Sequence, residues 1–284
     1  MARICVLGAG VVGLSSAVNI QSILPEADIT LIADQFNQET TSDGAAGHFD
    51  ANIAGIHRTH GYKLWRTETP PPFHSSFDYG CRALSKSELL RLPGNYTFTN
   101  KGGKVIRKKL ISVDEIAGSY DVIVNCTGLG SRKLFDDKEL VPIRGHLIRV
   151  KAPWIKTLFI DEDDTYIFSG QDTVVLGGTY ERGEYRLDKD QRYYDDIMAQ
   201  CCRLVPSLKH AEVERTWVGL RPWRPSVRLE VEMISLGGRR LPVVHNYGHG
   251  ADGVCLSWGC GVEAANLVKQ QLTKTGAPRL VSKL

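Results

Sequence analysis

Residues 3–34 confine the fold more tightly than any other stretch of this chain. Arg3-Ile4-Cys5-Val6-Leu7 is a short apolar run that breaks into Gly8-Ala9-Gly10-Val11-Val12-Gly13. Leu14 to Leu24 then carries a helix-like pattern, which Pro25 ends. Ile29-Thr30-Leu31-Ile32-Ala33 is a second, β-branched run, closed by Asp34. The order is strand, glycine turn, helix, strand, acid. Gly8 lets the chain turn sharply out of the strand, Gly10 lacks the Cβ that would keep backbone away from a pyrophosphate, and Gly13 lets the helix lie close to the sheet. The helix N-terminus adds unpaired N–H groups and a partial positive charge. Gly8, Ala9, Gly10, Val11 and Gly13 therefore form a candidate dinucleotide-binding turn.

Asp34 stands 21 positions after Gly13, where a carboxylate takes ribose hydroxyls. An acid there suits an unphosphorylated ribose and favours FAD or NAD over NADP. The chain has 284 residues, 42% apolar and 24% charged, enough for one large core or two smaller ones. Its net charge of +3 is too small to point to nucleic acid. The densest basic run, Lys104-Val105-Ile106-Arg107-Lys108-Lys109, reads as a solvated strand edge. No stretch approaches the length of a membrane helix, so no membrane partner is expected. The seven cysteines are scattered without a Cys-x-x-Cys pair, which suits reduced, mostly buried thiols. The apolar run opens at Arg3, so no signal peptide is expected. The terminal Ser282-Lys283-Leu284 reads as a peroxisomal address taken by the import receptor. Peroxisomes house hydrogen-peroxide chemistry, and this pulls the dinucleotide towards FAD.

Further along, Tyr120 to Gly130 is a second buried-strand pattern that ends in small residues, with Thr127 and Gly128 at its carboxyl end. Ile148–Val150 and Thr173–Leu176 read as strands, and Tyr193–Leu204 as an amphipathic helix stopped by Pro206. Val243 to Gly253 is a strand running into another glycine-rich turn, and Glu263–Thr273 reads as a helix. The expected fold is α/β: a Rossmann-like dinucleotide-binding domain from 1–48, 104–140 and 236–284, and a second, β-rich substrate domain from 49–103 and 141–235. His245 and His249 have the spacing of a helical zinc pair. A strand precedes them and Gly248 and Gly250 flank the second, so no metal site is expected.

Several motifs together resemble the FAD-dependent D-amino acid oxidase family, nearer its D-aspartate oxidase branch. They are the glycine turn, Thr40-Thr41-Ser42-Asp43-Gly44-Ala45-Ala46-Gly47, Val124 to Arg132, Ala152-Pro153-Trp154 and Leu176-Gly177-Gly178-Thr179. Gly219-Leu220-Arg221-Pro222-Trp223-Arg224-Pro225, Val244 to Gly250 and the terminal Ser-Lys-Leu complete the set. The likeness covers residues 1–47 and 77–284. It implies FAD as cofactor, a D-amino acid and oxygen as substrates, and a 2-oxo acid, ammonia and hydrogen peroxide as products. By the resemblance, Arg221 pairs with the substrate α-carboxylate, Tyr166 helps to hold it, and the Ala251 carbonyl accepts from the amino group. A planar guanidinium fork matches a carboxylate bidentately. The nearby Arg224 and Arg228 are the other arginines that this stretch offers. The resemblance also implies cofactor contacts from Thr40, Thr41, Ser42, Ala46, Gly47, Thr127, Gly128, His245, Gly250, Asp252, Gly253 and Val254.

The chain departs from the family in three ways. It is shorter by several tens of residues, with gaps after Gly47 and between Thr99 and Val105. Where the family's D-aspartate branch places arginines, after Gly-Gly-Thr and before Cys-Cys, this chain has Tyr180 and Gln200. The stretch before Tyr166, Asp161-Glu162-Asp163-Asp164, is acidic and is expected to face solvent. D-aspartate is the favoured substrate. An oxidase of neutral D-amino acids and a shortened, inactive family member are the alternatives.

Overall fold

In the computed structural model the first apolar run becomes the central strand of a parallel sheet, because its side chains have a core on both faces. The structure describes residues 1–44, 60–64, 98–99, 102–170, 173–236 and 238–274. The expected contacts of Ala46 and Gly47 and the terminal tripeptide lie outside these residues. In chain order the elements are β1 (Arg3–Leu7), α1 (Val11–Ile23), β2 (Asp28–Ala33), β3 (His60–Leu64), β4 (Lys104–Arg107) and β5 (Val122–Asn125). Next come the one-turn α2 (Ser131–Leu134), β6 (Val141–Lys151), β7 (Thr157–Asp161), β8 (Tyr166–Ser169), β9 (Val174–Gly177) and β10 (Glu181–Arg182). The described part ends with α3 (Gln191–Leu204), β11 (Glu212–Leu236), β12 (Arg239–His249) and α4 (Gly253–Lys274). No helix among the described residues is long and apolar enough to cross a membrane.

The chain divides into two units: Met1–Ala45, Leu90–Pro142 and Arg221–Leu284 form unit 1, and Ala46–Leu89 and Ile143–Leu220 form unit 2. Residues 221–235, expected in the second domain, cluster with unit 1, because β11 from Arg228 onward pairs with β12 residue by residue. In unit 1, β1 lies between β2 and β5, β5 pairs with β12 and β2 with β4, all in parallel, while β11 runs antiparallel to β12. Side chains alternate across this sheet. Ile4, Val6, Leu31, Val124 and Val244 face a core that includes Ala17 and Ile20 of α1 and Ala264, Ala265 and Val268 of α4. Cys5, Leu7, Ile32, Ile123 and Val243 face a second core with Val113 and Ile116. Burial on both faces explains why these strands are nearly continuous apolar runs. All four residues of β4 are exposed, so the basic run is a solvated strand as expected.

In unit 2 the strands run in the order β3-β7-β8-β9-β6, with β10 on β6. One face packs Ile148, Val150, Ile167, Val174 and Leu176 against Tyr194, Ile197 and Cys201 of α3. The Asp190 side chain caps α3 by accepting from the Arg192 N–H.

α4 begins ten residues before the expected start at Glu263. Gly253, Gly259 and Gly261 hide its helical pattern, since glycine is a poor helix former. One of the three is there for packing: a Cβ on Gly261 would lie 2.9 Å from the Ser15 carbonyl carbon of α1. Gly261→Val is therefore expected to destabilise the fold by about 1–3 kcal/mol through overpacking. Urea unfolding of the two proteins measures the difference.

Candidate active site

Four parallel strands of unit 1 end on one edge of the sheet, where β1 runs into Gly8, β2 into Asp34, β5 into Cys126-Thr127 and β12 into Gly250. Carboxyl ends of this kind are where open α/β sheets bind ligands. Gly8 has φ +100°, and a Cβ there would overlap the Cys126 carbonyl oxygen. A Cβ on Gly13 would overlap the Gly8 carbonyl oxygen. These two glycines are required by the chain itself. Gly10 differs: it is the N-cap of α1, offers no side-chain cap, and an added Cβ would meet only Ser42 Oγ, at 3.2 Å. The Val11 N–H donates to Ser42 Oγ at 2.9 Å, so the structure brings Ser42 to the turn. Ala9 is buried in the core.

Asp34 is exposed at the end of β2, and its carbonyl accepts from Arg107 Nη1 at 3.1 Å. Arg107 also pairs with Glu39 at 2.9 Å and lies over the Phe36 ring, 4.8 Å from its centroid. The sequence reading did not single out these three neighbours, because the basic run signalled only a solvated strand. Thr40 turns back on Asn37, donating its hydroxyl to that carbonyl at 2.7 Å, and Thr41 is exposed. Thr127 donates to Asn125 Oδ1 at 2.8 Å, and Gly128 follows with φ +52°.

His245 is fully buried in mid-strand. Its Nε2 lies 2.9 Å from Glu232 Oε2 and its Nδ1 lies 3.1 Å from Asn125 Nδ2. One neutral tautomer satisfies both contacts, with Nε2–H donating and Nδ1 accepting. Burial and the nearby Arg228 charge hold its pKa below the ordinary range against the pull of Glu232. The histidine expected to be hydrogen-bonded at the cofactor is thus hydrogen-bonded between β5 and β11. His249 is also buried, and its Nε2 has no hydrogen-bond partner among the described residues. Gly250, Ala251 and Asp252 form a 3-10 turn into α4, whose first residues Gly253 and Val254 are half-buried. Ala251 and Asp252 are exposed, and the packed protein beside Asp252 pushes its carboxyl upward.

Arg221 lies on β11, half-buried. Trp223 pairs with His249 across the β11–β12 ladder. Arg221 lies two residues before Trp223 on β11, and Ala251 two residues after His249 in the 3-10 turn. Arg224 and Arg228 are committed elsewhere: Arg224 to Asp137 and Glu139, Arg228 to Glu230 and Glu232.

In unit 2, Tyr166 opens β8 with its ring stacked on Phe168 at 4.7 Å. A Cβ on either Gly177 or Gly178 would overlap the Tyr166 ring, which explains the paired glycines. Thr165 donates to Gln200 Oε1 at 2.6 Å, and Tyr180 is exposed. The acidic stretch does not all face solvent: Asp161 is buried with Arg203 3.5 Å away, while Glu162, Asp163 and Asp164 are exposed.

The carboxyl edge of unit 1 defines a dinucleotide-binding α/β protein. Its residues fit such a group: a bare N-cap at Gly10, an acid at the end of β2, and the buried His249 Nε2 with no partner among the described residues. The family model for FAD-dependent oxidoreductases of the DAO type matches residues 78–267. Human D-aspartate oxidase is 36% identical over 326 aligned positions, covering 95% of both chains. D-amino acid oxidase of Dugesia ryukyuensis is 31% identical, covering 96% of this chain and 99% of that one. In structure the chain is similar to glycine oxidase from Geobacillus kaustophilus, with a TM-score of 0.74 and 16% identity over 99% of this chain and 100% of that one. This chain belongs to the FAD-dependent oxidoreductase family. It is an oxidoreductase, and its cofactor is FAD. The 326 positions aligned with the human enzyme against 284 residues leave at least 42 without a counterpart here.

Burial pushes the His249 pKa down from 6.5 to about 4. The unfolded chain therefore binds a proton between those values that the folded chain does not, so stability is lost as pH falls through that window. Unfolding free energies measured from pH 7 to pH 4 should decline, and His249→Gln should flatten the decline.

Proposed function

We propose that this protein oxidises D-amino acids, D-aspartate foremost, to the 2-oxo acid and ammonia, with oxygen going to hydrogen peroxide. The observation that carries this reading is the placement of Arg221 and Ala251 beside the Trp223–His249 pair, at the carboxyl edge where the dinucleotide turn also lies. Arg221 offers a planar fork to the α-carboxylate. The Ala251 carbonyl accepts from the amino group and so turns the Cα–H bond in a fixed direction. With carboxylate and amine both held, only the enantiomer whose Cα–H then faces the electron acceptor can react. When bound, FAD supplies the two-electron acceptor that oxygen restores. The N-terminus of α4 presents N–H groups and a partial positive charge towards negative charge that develops nearby. His249, held neutral, adds no competing cation there. Tyr166 carries a carboxylate contact by family resemblance.

The acidic substrate is supported by the 36% identity to human D-aspartate oxidase over nearly the whole chain. A second reading, neutral D-amino acids, is favoured by one observation: Gln200 is committed to Thr165 and Tyr180 is neutral, so neither supplies a cation. The full chain is saturated with FAD, desalted and mixed anaerobically with D-aspartate or D-alanine. A retained flavin band that bleaches faster with D-aspartate is expected. Faster bleaching with D-alanine selects the neutral substrate, and loss of the band on desalting indicates a shortened chain without activity.

We place the protein in the peroxisomal matrix, on the support of the terminal Ser282-Lys283-Leu284. A fluorescent protein fused ahead of the full chain should colocalise with a peroxisomal marker. Removing the last three residues should leave the fusion in the cytosol, and unchanged import would refute the assignment.

A further inference from the structure

Between Trp223 and Arg228 the β11–β12 ladder changes register. Trp223 pairs with His249 and Arg228 with Tyr247, so four residues, Arg224–Val227, stand against the single residue Gly248. Such a bulge bends its strand and re-aims the side chains next to it. Here it lies directly behind Arg221 on one strand and Ala251 on the other. Gly248 has φ +92°, and a Cβ there would come 2.8 Å from Arg224 Cβ, so the bulge closes only over glycine.

One carboxylate ties the two strands together. The Asp137 side chain, 4% exposed, comes from the segment between α2 and β6. Its Oδ2 accepts from Arg224 Nε at 3.0 Å and from the Tyr247 hydroxyl at 2.6 Å. Its Oδ1 accepts from the Glu139 N–H at 3.0 Å. Arg228 Nη1 donates to the same Tyr247 hydroxyl at 3.0 Å. Glu139 in turn pairs with Arg224 Nη2. Burial alone pushes the Asp137 carboxyl up, but the Tyr247 hydroxyl and the Arg224 charge outweigh it and hold the group ionised. A buried ionic cluster is a weak source of stability compared with apolar packing. What it supplies is direction, because each donor satisfies the carboxylate in one geometry.

We infer that Asp137 is a positioning residue: by holding Arg224 on β11 and Tyr247 on β12 it fixes the bulge, and with it the Arg221 guanidinium and the Ala251 carbonyl that receive the α-carboxylate and amino group of a D-amino acid. This rests on the function proposed above. A small displacement of a bidentate ligand is costly in binding and orientation. Because the α-carboxylate is common to all D-amino acids, loss of Asp137 affects acidic and neutral substrates alike.

The test uses the full chain loaded with FAD and the variants Asp137→Asn and Arg224→Lys. Asp121→Asn serves as a control that breaks a unit 1 ion cluster on Arg3 and Arg239. Steady-state constants for D-aspartate and D-alanine are measured with the melting temperature. The dissociation constant of propionate, a carboxylate with no amino group, is read from the flavin band. For Asp137→Asn, KM for both substrates and the propionate constant are expected to rise about tenfold, a loss of one hydrogen-bonded contact's worth of affinity. Arg224→Lys keeps the charge, loses the fork, and should shift the same quantities less. Asp121→Asn should lower the melting temperature and leave KM unchanged. If the wild type is active while both bulge variants keep KM and propionate binding within twofold, the inference is overturned and Asp137 is a stabilising contact only. A wild type that oxidises no D-amino acid and binds no propionate removes the proposed function, and this inference with it.

Discussion

At two glycines of unit 1 backbone packs against backbone with no room for a Cβ, and α1 is set on the sheet by them. Gly8 sits against the Cys126 carbonyl at the end of β5, and Gly13 sits against Gly8. These contacts set the angle at which α1 leaves the sheet. α1 then meets α4 at another bare glycine, Gly261 against Ser15. A Cβ at any of these points would need one layer to move, and interiors packed to crystal density transmit such a shift. Gly10 differs from Gly8, Gly13 and Gly261 in that a Cβ there would meet only Ser42 Oγ, at 3.2 Å.

Charge is handled differently in the middle of β12 and at its end. In mid-strand, His245 is neutral and satisfied on both nitrogens, linking Asn125 on β5 to Glu232 on β11. Four residues on, His249 is also buried, but its Nε2 has no partner among the described residues. An unpaired buried polar atom costs free energy unless something else supplies its partner. His249 lies at the start of α4, on the same edge as the glycine turn.

The parts legible in the sequence were those with a strong local signal. β1, α1 and β2 follow from apolar runs, glycine and an acid, and α3 follows from its periodic apolar face. The start of α4 was not legible, because Gly253, Gly259 and Gly261 read locally as breakers while tertiary packing demands at least one of them. The boundary at Leu220/Arg221 was hidden too, since it falls inside β11, a strand with no break in composition. Asp137 gave no signal: an aspartate pair in a polar loop is ordinary until Arg224 and Tyr247, 87 and 110 positions away in sequence, are folded onto it. Non-local charge clusters of this kind have no period and no spacing rule.

The residues expected to meet the cofactor and the positions where the chain departs from the D-aspartate pattern fall in different units. The glycine turn, Asp34, the end of β5 and the start of α4 are all in unit 1, and each is complete among the described residues. Tyr180 and Gln200, where the chain departs from the D-aspartate pattern, are both in unit 2, as are the acidic residues ahead of Tyr166. Gln200 is more than a missing cation. Its amide oxygen holds the Thr165 hydroxyl next to Tyr166, and an arginine there could not accept that bond, because a guanidinium has donors only. The substitution therefore exchanges a charge for a hydrogen bond that steadies the strand carrying Tyr166.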